Sequence, residues 1–413
     1  MSSQHVTFER AFAASERQFF QEYPVTIIPA VTVEGVLALD VLNRAWEYLT
    51  IQHPVLGSHC ELRDFEPWLV AASSANPLQV SNRSLADGLR EVESLKPDVA
   101  LAALEVIQDG SRAVVMLKVH HAIADAHSAF AWFFQLWVYY TQLATGQSLE
   151  SAVTGQIPAS IESHLCQRGV TATEGRCQAI DLAALRSAVS VPRPPPDSPL
   201  CHYTFELGIE STAALKAHVK SKGTTVHAAL SGAVLLAERT LLTSSSTAVP
   251  MAVVSPVDVR NAVTPQIPLH AVTNGIGYVY TVVPVSPASD PLSVGNHVRQ
   301  VLRDQLNNGE AARSALHVAD WITASHQLGP FSMITNFGAY PPLPMTSGLQ
   351  CLGISLLRPD YARTPPHLAY VVSTLDDKLT FSFHYCGEQY GQGTVEHLII
   401  RLEQIMHDLA DAA

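Results

Sequence analysis

The chain has 413 residues, 47% hydrophobic and 15% charged, which supplies apolar material for two cores of roughly 150–200 residues and excludes extended disorder. A formal net charge of −12 without a Lys/Arg stripe argues against nucleic-acid binding, because phosphate neutralisation supplies most of that affinity. The apolar runs fall short of the roughly 20 residues that span a bilayer, and the N-terminus lacks a secretory pattern, so a soluble cytoplasmic protein is expected.

In chain order, the first expected strand is Thr26–Gly35. A helix follows over Asp40–Ile51, with Leu42, Ala45, Trp46 and Leu49 at helical spacing. Ala113–His121 reads as a strand and His127 to about Leu143 as a helix, with Asp125 placed to cap its N-terminus. Residues 187–199 hold five prolines and no apolar periodicity, which predicts a stiff linker. The expected organisation is a subdomain over 1–185, a linker over 186–200 and a second subdomain over 201–413. In that second part Thr225–Leu242 reads as a helix. Strands are expected at 249–257, 276–284, 369–374 and 379–386. A closing helix at 395–410 carries Leu398, Leu402, Ile405 and Leu409 on one stripe. Two halves that mix strands and helices make the fold class α/β (α+β), with a ligand site expected between them.

Cysteines 60, 166, 177, 201, 351 and 386 form no C-x-x-C pair, which predicts reduced thiols and no zinc site. The G-x-S-x-G elbow, the P-loop and G-x-G-x-x-G are absent; Asn274-Gly-Ile-Gly277 is too short for the last.

The informative stretch is Ala113-Val-Val-Met-Leu-Lys-Val-His-His-Ala-Ile-Ala-Asp-Ala-His-Ser128. In an extended strand successive side chains alternate faces. Val114, Met116, Lys118 and His120 then share one face, while Ala113, Val115, Leu117 and Val119 precede His121 on the other. An imidazole at the end of a wholly apolar face is pushed toward its neutral form, the form a general base requires. The plain alternative is a histidine pair that packs a strand end, with Asp125 no more than a helix cap.

His120-His-Ala-Ile-Ala-Asp-Ala-His-Ser128 resembles the H-H-x-x-x-D-G-x-S motif of the chloramphenicol acetyltransferase, BAHD and condensation-domain superfamily. Its stand-alone polyketide-associated acyltransferases, typified by phthiocerol dimycocerosyl transferase, are the nearest branch. Three further stretches are similar to the family's other motifs. Gln52-His-Pro-Val-Leu56 looks like the H-P-x-L turn, and Pro256-Val-Asp-Val-Arg260 like the strand end that supplies an arginine. Thr335-Asn-Phe-Gly338 sits where members carry S-N-x-G or D-F-G-W-G. The resemblance implies two chloramphenicol-acetyltransferase-like subdomains with a tunnel between them. It implies His121 as the base beside His120, and a structural Asp125–Arg260 pair. It also implies no metal and no cofactor. An acyl thioester of coenzyme A or of an acyl carrier protein would be the donor, a small-molecule alcohol or amine the acceptor, and the chain a monomer in polyketide or other secondary metabolism. Ala126 departs from the motif glycine; a left-handed backbone there would cost alanine about 1 kcal/mol or more.

Ser128 is a cap residue or a contact to the acyl carbonyl. Thr335 and Asn336 are oxyanion donors or part of a turn. Lys216, Lys220 and Lys222 could meet phosphates, or simply lie on a solvated face near a helix C-terminus. The aromatic series from Phe130 to Tyr140 is mainly core. The leading expectation is an O-acyltransferase. The alternatives are an amide-forming condensation-type enzyme and a catalytically silent carrier-protein scaffold.

Overall fold

The computed structural model describes residues 8–21, 25–71, 75–151, 155–172, 200–242, 247–317, 332–357, 368–386 and 391–412. The proline-rich stretch expected as a linker lies outside them, as does Cys177. The described chain opens with strand β1 (Glu9–Ala11), helix α1 (Ala14–Gln21), β2 (Thr26–Gly35) and α2 (Leu39–Gln52), then a 3₁₀ turn at Pro54–Gly57. β3 (Ser58–Arg63), β4 (Glu66–Ala71), β5 (Gln79–Asn82), α3 (Leu85–Arg90), β6 (Ala102–Asp109) and β7 (Arg112–His120) follow. Next come α4 (Ala126–Ala144), α5 (Ile161–Gln167), β8 (Leu200–Leu207), α6 (Ile209–Ser221), α7 (Val226–Glu238) and β9 (Val249–Asp258). β10 (Ile276–Val285), α8 (Pro291–Asn307), α9 (Glu310–Ser314), β11 (Ser332–Ala339), β12 (Leu349–Leu357), β13 (Leu368–Leu375), β14 (Lys378–Cys386) and α10 (Gln392–Asp411) complete it. Among the described residues no helix is long and apolar enough to cross a membrane.

The chain forms two compact units. The first holds residues 1–167 and takes in two later segments, 267–275 and 341–362. Its main sheet has the order β12-β2-β7-β6-β5, and a smaller sheet the order β1-β4-β3. β2 and β7 are inner strands, and the two faces of β2 pack into separate clusters, Ile27, Val31 and Val33 in one and Ile28 and Ala30 in the other. Their sequences, TIIPAVTVEG and RAVVMLKVH, are buried almost end to end. One face of this sheet packs α2 through Leu42, Trp46 and Leu49, and α4 through Trp132, Phe133, Leu136 and Trp137. β12 pairs antiparallel with β2, from Leu349 opposite Gly35 to Leu357 opposite Ile28. Without it, β2 would present an open hydrogen-bonding edge.

The second unit holds residues 168–266, 276–340 and 363–413. Its six-stranded sheet runs β10-β9-β11-β13-β14-β8, with parallel pairing of β11 to both β9 and β13. Its core gathers α6, α7, α8 and α10 against the sheet. α7 starts as its sequence predicts, with the Thr225 hydroxyl accepting the Ala228 N–H. Gly232 of α7 lies against the Pro291 carbonyl, and Gly295 of α8 against the Ala228 carbonyl. A methyl group at either position would overlap backbone, so glycine sets how closely these helices approach. Leu398, Leu402, Ile405 and Leu409 of α10 are buried as the stripe foretold.

Candidate active site

The site grows from the end of β7. From Ala113 to His120 every residue of this strand is buried. At His120 the ladder stops: the His120 N–H donates to the Leu101 carbonyl at 2.8 Å and the His121 N–H to Val25 at 2.8 Å. The chain then turns, and Asp125 caps α4. One carboxylate oxygen accepts the Ser128 N–H at 3.0 Å and the other accepts the Gly275 N–H at 2.9 Å. Asp125 is 2% exposed, so it serves two backbone donors in dry surroundings. The turn between strand and helix is thereby held at both ends.

The two histidines of this turn have opposite environments. His120 is fully buried and stacks on Phe20 at 4.8 Å. Its Nδ1 accepts the Ala122 N–H at 3.2 Å. Burial, and to a lesser degree the nearby His121, pushes its pKa down to about 3, so this ring stays neutral. His121 is half-buried. Its ring lies parallel to that of Phe19, with centroids 4.1 Å apart and planes 6° from coplanar. Asn274 Nδ2 sits 3.1 Å from its Nδ1 and 3.2 Å from its carbonyl oxygen.

These environments correct the alternation argument. The strand ends one residue before the expected boundary, so His121 belongs to the turn and does not cap the apolar face. The fully desolvated ring is His120. His121 is shielded on one face by an aromatic ring and remains partly open.

Ala126 is the first residue of α4 and is 5% exposed. Among the described residues the non-glycine positions with left-handed backbone are Asp64, Phe65, Asp376 and Asp377, so Ala126 carries no such strain. Ser128 lies in the first turn of α4, fully buried, with its N–H on Asp125. His53 ends α2, as the H-P-x-L resemblance implied, and its Nε2 lies 3.1 Å from Gln135 Oε1. Burial lowers its pKa, and the hydrogen bond to Gln135 opposes the shift.

The other expected site residues belong to the second unit. Arg260 is 2% exposed, and its Nη1 and backbone N–H both donate to Asp258 Oδ1, at 3.1 and 3.0 Å. Thr335 and Asn336 lie in β11, where Asn336 Oδ1 accepts the Gly338 N–H at 2.9 Å beside a bulge. Gly338 has φ +78°, a left-handed backbone that glycine adopts freely, so Asn336 braces the bulge. Lys216 is half-buried in the middle of α6, and Lys220 and Lys222 are exposed at its C-terminal end.

Asn274, Gly275, Phe19 and Phe20 escaped the sequence reading. The first two sit in an Asn-Gly pair that signals a turn. That signal carries no information about which distant residue the turn meets, and Asn274 lies 153 positions from His121.

Residues 202–384 match the family model described as the C-terminus of phthiocerol/phthiodiolone dimycocerosyl transferase. The phthiocerol/phthiodiolone dimycocerosyl transferase of Mycobacterium leprae is 25% identical over 402 residues, covering 92% of this chain and 90% of that protein. Polyketide synthase associated protein 5 of Mycobacterium tuberculosis superposes with a TM-score of 0.80 at 23% identity over 97% of both chains. Trichothecene 15-O-acetyltransferase of Fusarium sporotrichioides does so with a TM-score of 0.76 at 12% identity, over 99% of this chain and 96% of that one. The resemblance expected from the motifs is borne out along nearly the whole chain. The fold is shared with that acetyltransferase and with the first condensation domain of the CDA synthetase, which superposes with a TM-score of 0.71 at 16% identity over 99% of this chain and 97% of that one.

Proposed function

We propose that this chain, an acyltransferase of the polyketide-associated type, uses His121 as general base to move an acyl group from a thioester to a hydroxyl acceptor. The observation that carries this reading is the pairing of a sealed, neutral His120 with a half-open His121 on a turn clamped by Asp125. The clamp holds the second ring still while leaving it reachable, which is what proton transfer at a positioned side chain needs. His121 takes the acceptor's O–H proton as the oxygen forms a bond to the thioester carbonyl carbon. Collapse of the tetrahedral adduct breaks the C–S bond, and the departing thiolate takes the same proton from the imidazolium. Ester and thiol leave, and the base is restored.

The donor would be acyl-coenzyme A or an acyl chain on a carrier protein's phosphopantetheine arm, met in the cytoplasm. Lys216, Lys220 and Lys222 offer positive charge for phosphates of either donor. Arg260 is proposed as the partner of Asp125 in holding the turn, and Thr335 as an oxyanion donor. The test supplies the full chain with a panel of acyl thioesters, on coenzyme A and on a carrier protein, and with alcohol and amine versions of one acceptor. Ester products by mass spectrometry, lost by roughly 10²–10⁴-fold in His121→Ala, are the expected result. Amide products alone would replace this reading with a condensation activity. Undiminished turnover in His121→Ala would remove the base, and absence of any product would leave a scaffold.

A further inference from the structure

Two residues of the first unit hold His121 from different sides, and both come from segments remote from the motif. Phe19, on α1, lies flat against one ring face at 4.1 Å and so fixes the ring plane. Asn274 reaches the ring edge at Nδ1 and also the main-chain carbonyl of the same residue, at 3.1 and 3.2 Å. It therefore fixes the rotation of the ring within that plane. The two holders are themselves joined. Glu16, fully buried on the same helix as Phe19, receives a hydrogen bond from the hydroxyl of Thr273, the neighbour of Asn274. It is also paired with Arg10 at 2.6 and 2.7 Å and accepts the Ala13 N–H at 2.7 Å. Helix α1 and the 273–275 loop are thus pinned to one carboxylate, and His121 lies against both.

We infer that Asn274 is a positioning residue for His121, engaging Nδ1 and so leaving Nε2 as the nitrogen that exchanges the proton. The inference rests on the base role proposed above and deepens it. A neutral imidazole carries one proton, and the partner of one nitrogen decides which nitrogen has the lone pair. A carboxamide has a donor end and an acceptor end of nearly equal shape. With Nδ2 toward the ring it donates to Nδ1, and the ring proton then sits on Nε2, where no base can act. With Oδ1 toward the ring it accepts Nδ1–H, gives up the bond to the main-chain carbonyl and exposes a lone pair at Nε2. The structure holds the first orientation, with Nδ2 toward the ring. A half-turn of the amide gives the second, which is the reactive one, and a side chain that can only accept enforces it.

The experiment compares Asn274→Ala and Asn274→Asp in the full chain. Asn274→Ala is expected to lower kcat roughly 10–100-fold with KM little changed. Asn274→Asp is expected to recover most of that loss and to move the acid limb of the kcat/KM profile to higher pH, because a carboxylate stabilises the imidazolium. Imidazole ¹⁵N shifts give a readout independent of turnover, with the His121 signal identified by its absence from His121→Gln. They should report Nδ1–H in Asn274→Asp and a mixture of tautomers in Asn274→Ala. Wild-type kcat in Asn274→Ala, ¹⁵N shifts unchanged by both substitutions, or an Asp variant as impaired as the Ala variant would each overturn the assignment. Loss of the base role itself would show differently, as full activity in His121→Gln.

Discussion

Each unit buries a polar cluster, and the two clusters are built to different ends. In the second unit Glu238, on the last turn of α7, is 7% exposed and lies deep against the sheet. It accepts from the hydroxyls of Tyr370, at 2.7 Å, and Ser332. Burial raises its pKa to about 7 despite both hydrogen bonds. In the first unit the polar groups sit at a strand end, where Asp125 and His120 are sealed and His121 is left with one side open. A satisfied cluster inside a core adds rigidity and a pH-dependent stability. A cluster at the edge of the core uses the same rigidity to hold one reachable group in place.

Four substitutions would break or sharpen that contrast. The largest effect is expected from His121→Ala, which should remove roughly 10²–10⁴ of turnover while leaving the thermal midpoint within about a degree of the parent, since a half-buried ring contributes little to the core. A collapse of stability in that variant would place His121 among the structural groups. Asp125→Ala should act the other way round. Losing the cap costs about 1 kcal/mol, and leaving the buried Gly275 N–H without its acceptor adds about 1–3 kcal/mol, so chemical denaturation should reveal a drop of several kcal/mol. An unaltered denaturation midpoint would mean that the turn is held by other contacts.

Glu238→Gln comes third, and its signature is a pH slope. The folded pKa of about 7 lies above the ordinary value of 4.5. Below pH 4.5 the carboxyl is protonated in both states. As pH rises from 4.5 to about 7 only the unfolded chain ionises, and stability falls by on the order of 3 kcal/mol across that window. Glutamine can accept from one hydroxyl and donate to the other, and it cannot titrate, so the variant should lose this decline.

His120→Asn comes last and has the opposite slope. The folded pKa of His120 is about 3 against an ordinary 6.5, so its contribution is present above pH 6.5 and is lost as pH falls toward 3. His227, held near 4 by burial, adds to the same acid-side loss. Between pH 4.5 and 6.5 the Glu238 and His120 slopes oppose one another. Removing only Glu238 should therefore steepen acid unfolding there, and removing only His120 should relax it. Parallel pH–stability curves for the two variants would refute the contrast.

Much of this molecule follows from short-range pattern. The strand Thr26–Gly35 has its expected bounds, and the helices over 39–52, 126–144 and 226–238 begin and end within a few residues of the apolar spacing that signals them. Asp125 and Thr225 announce helix starts because their side chains bond to N–H groups only three residues away. The strand 112–120 also ends close to its expected bound, but the last residue decides the chemistry. Alternation alone assigned the dry position to His121, whereas the chain leaves the ladder at His120 and turns. A period of two says which residues share a face, and it contains no signal for where the pleat stops.

Residue pattern established the strands β2, β7, β9, β10, β13 and β14, the helices α2, α4, α7 and α10 and the caps Asp125 and Thr225, because each is set by neighbours within a turn or two along the chain. Only the tertiary structure decided that β12 closes the edge of β2, that Thr273 meets Glu16 across 257 residues and that Asn274 meets His121 across 153. Those meetings depend on loop closure and on which apolar surfaces bury one another. The cost of closing a loop grows slowly with its length, so separation along the chain leaves almost no trace of which distant segments will pair.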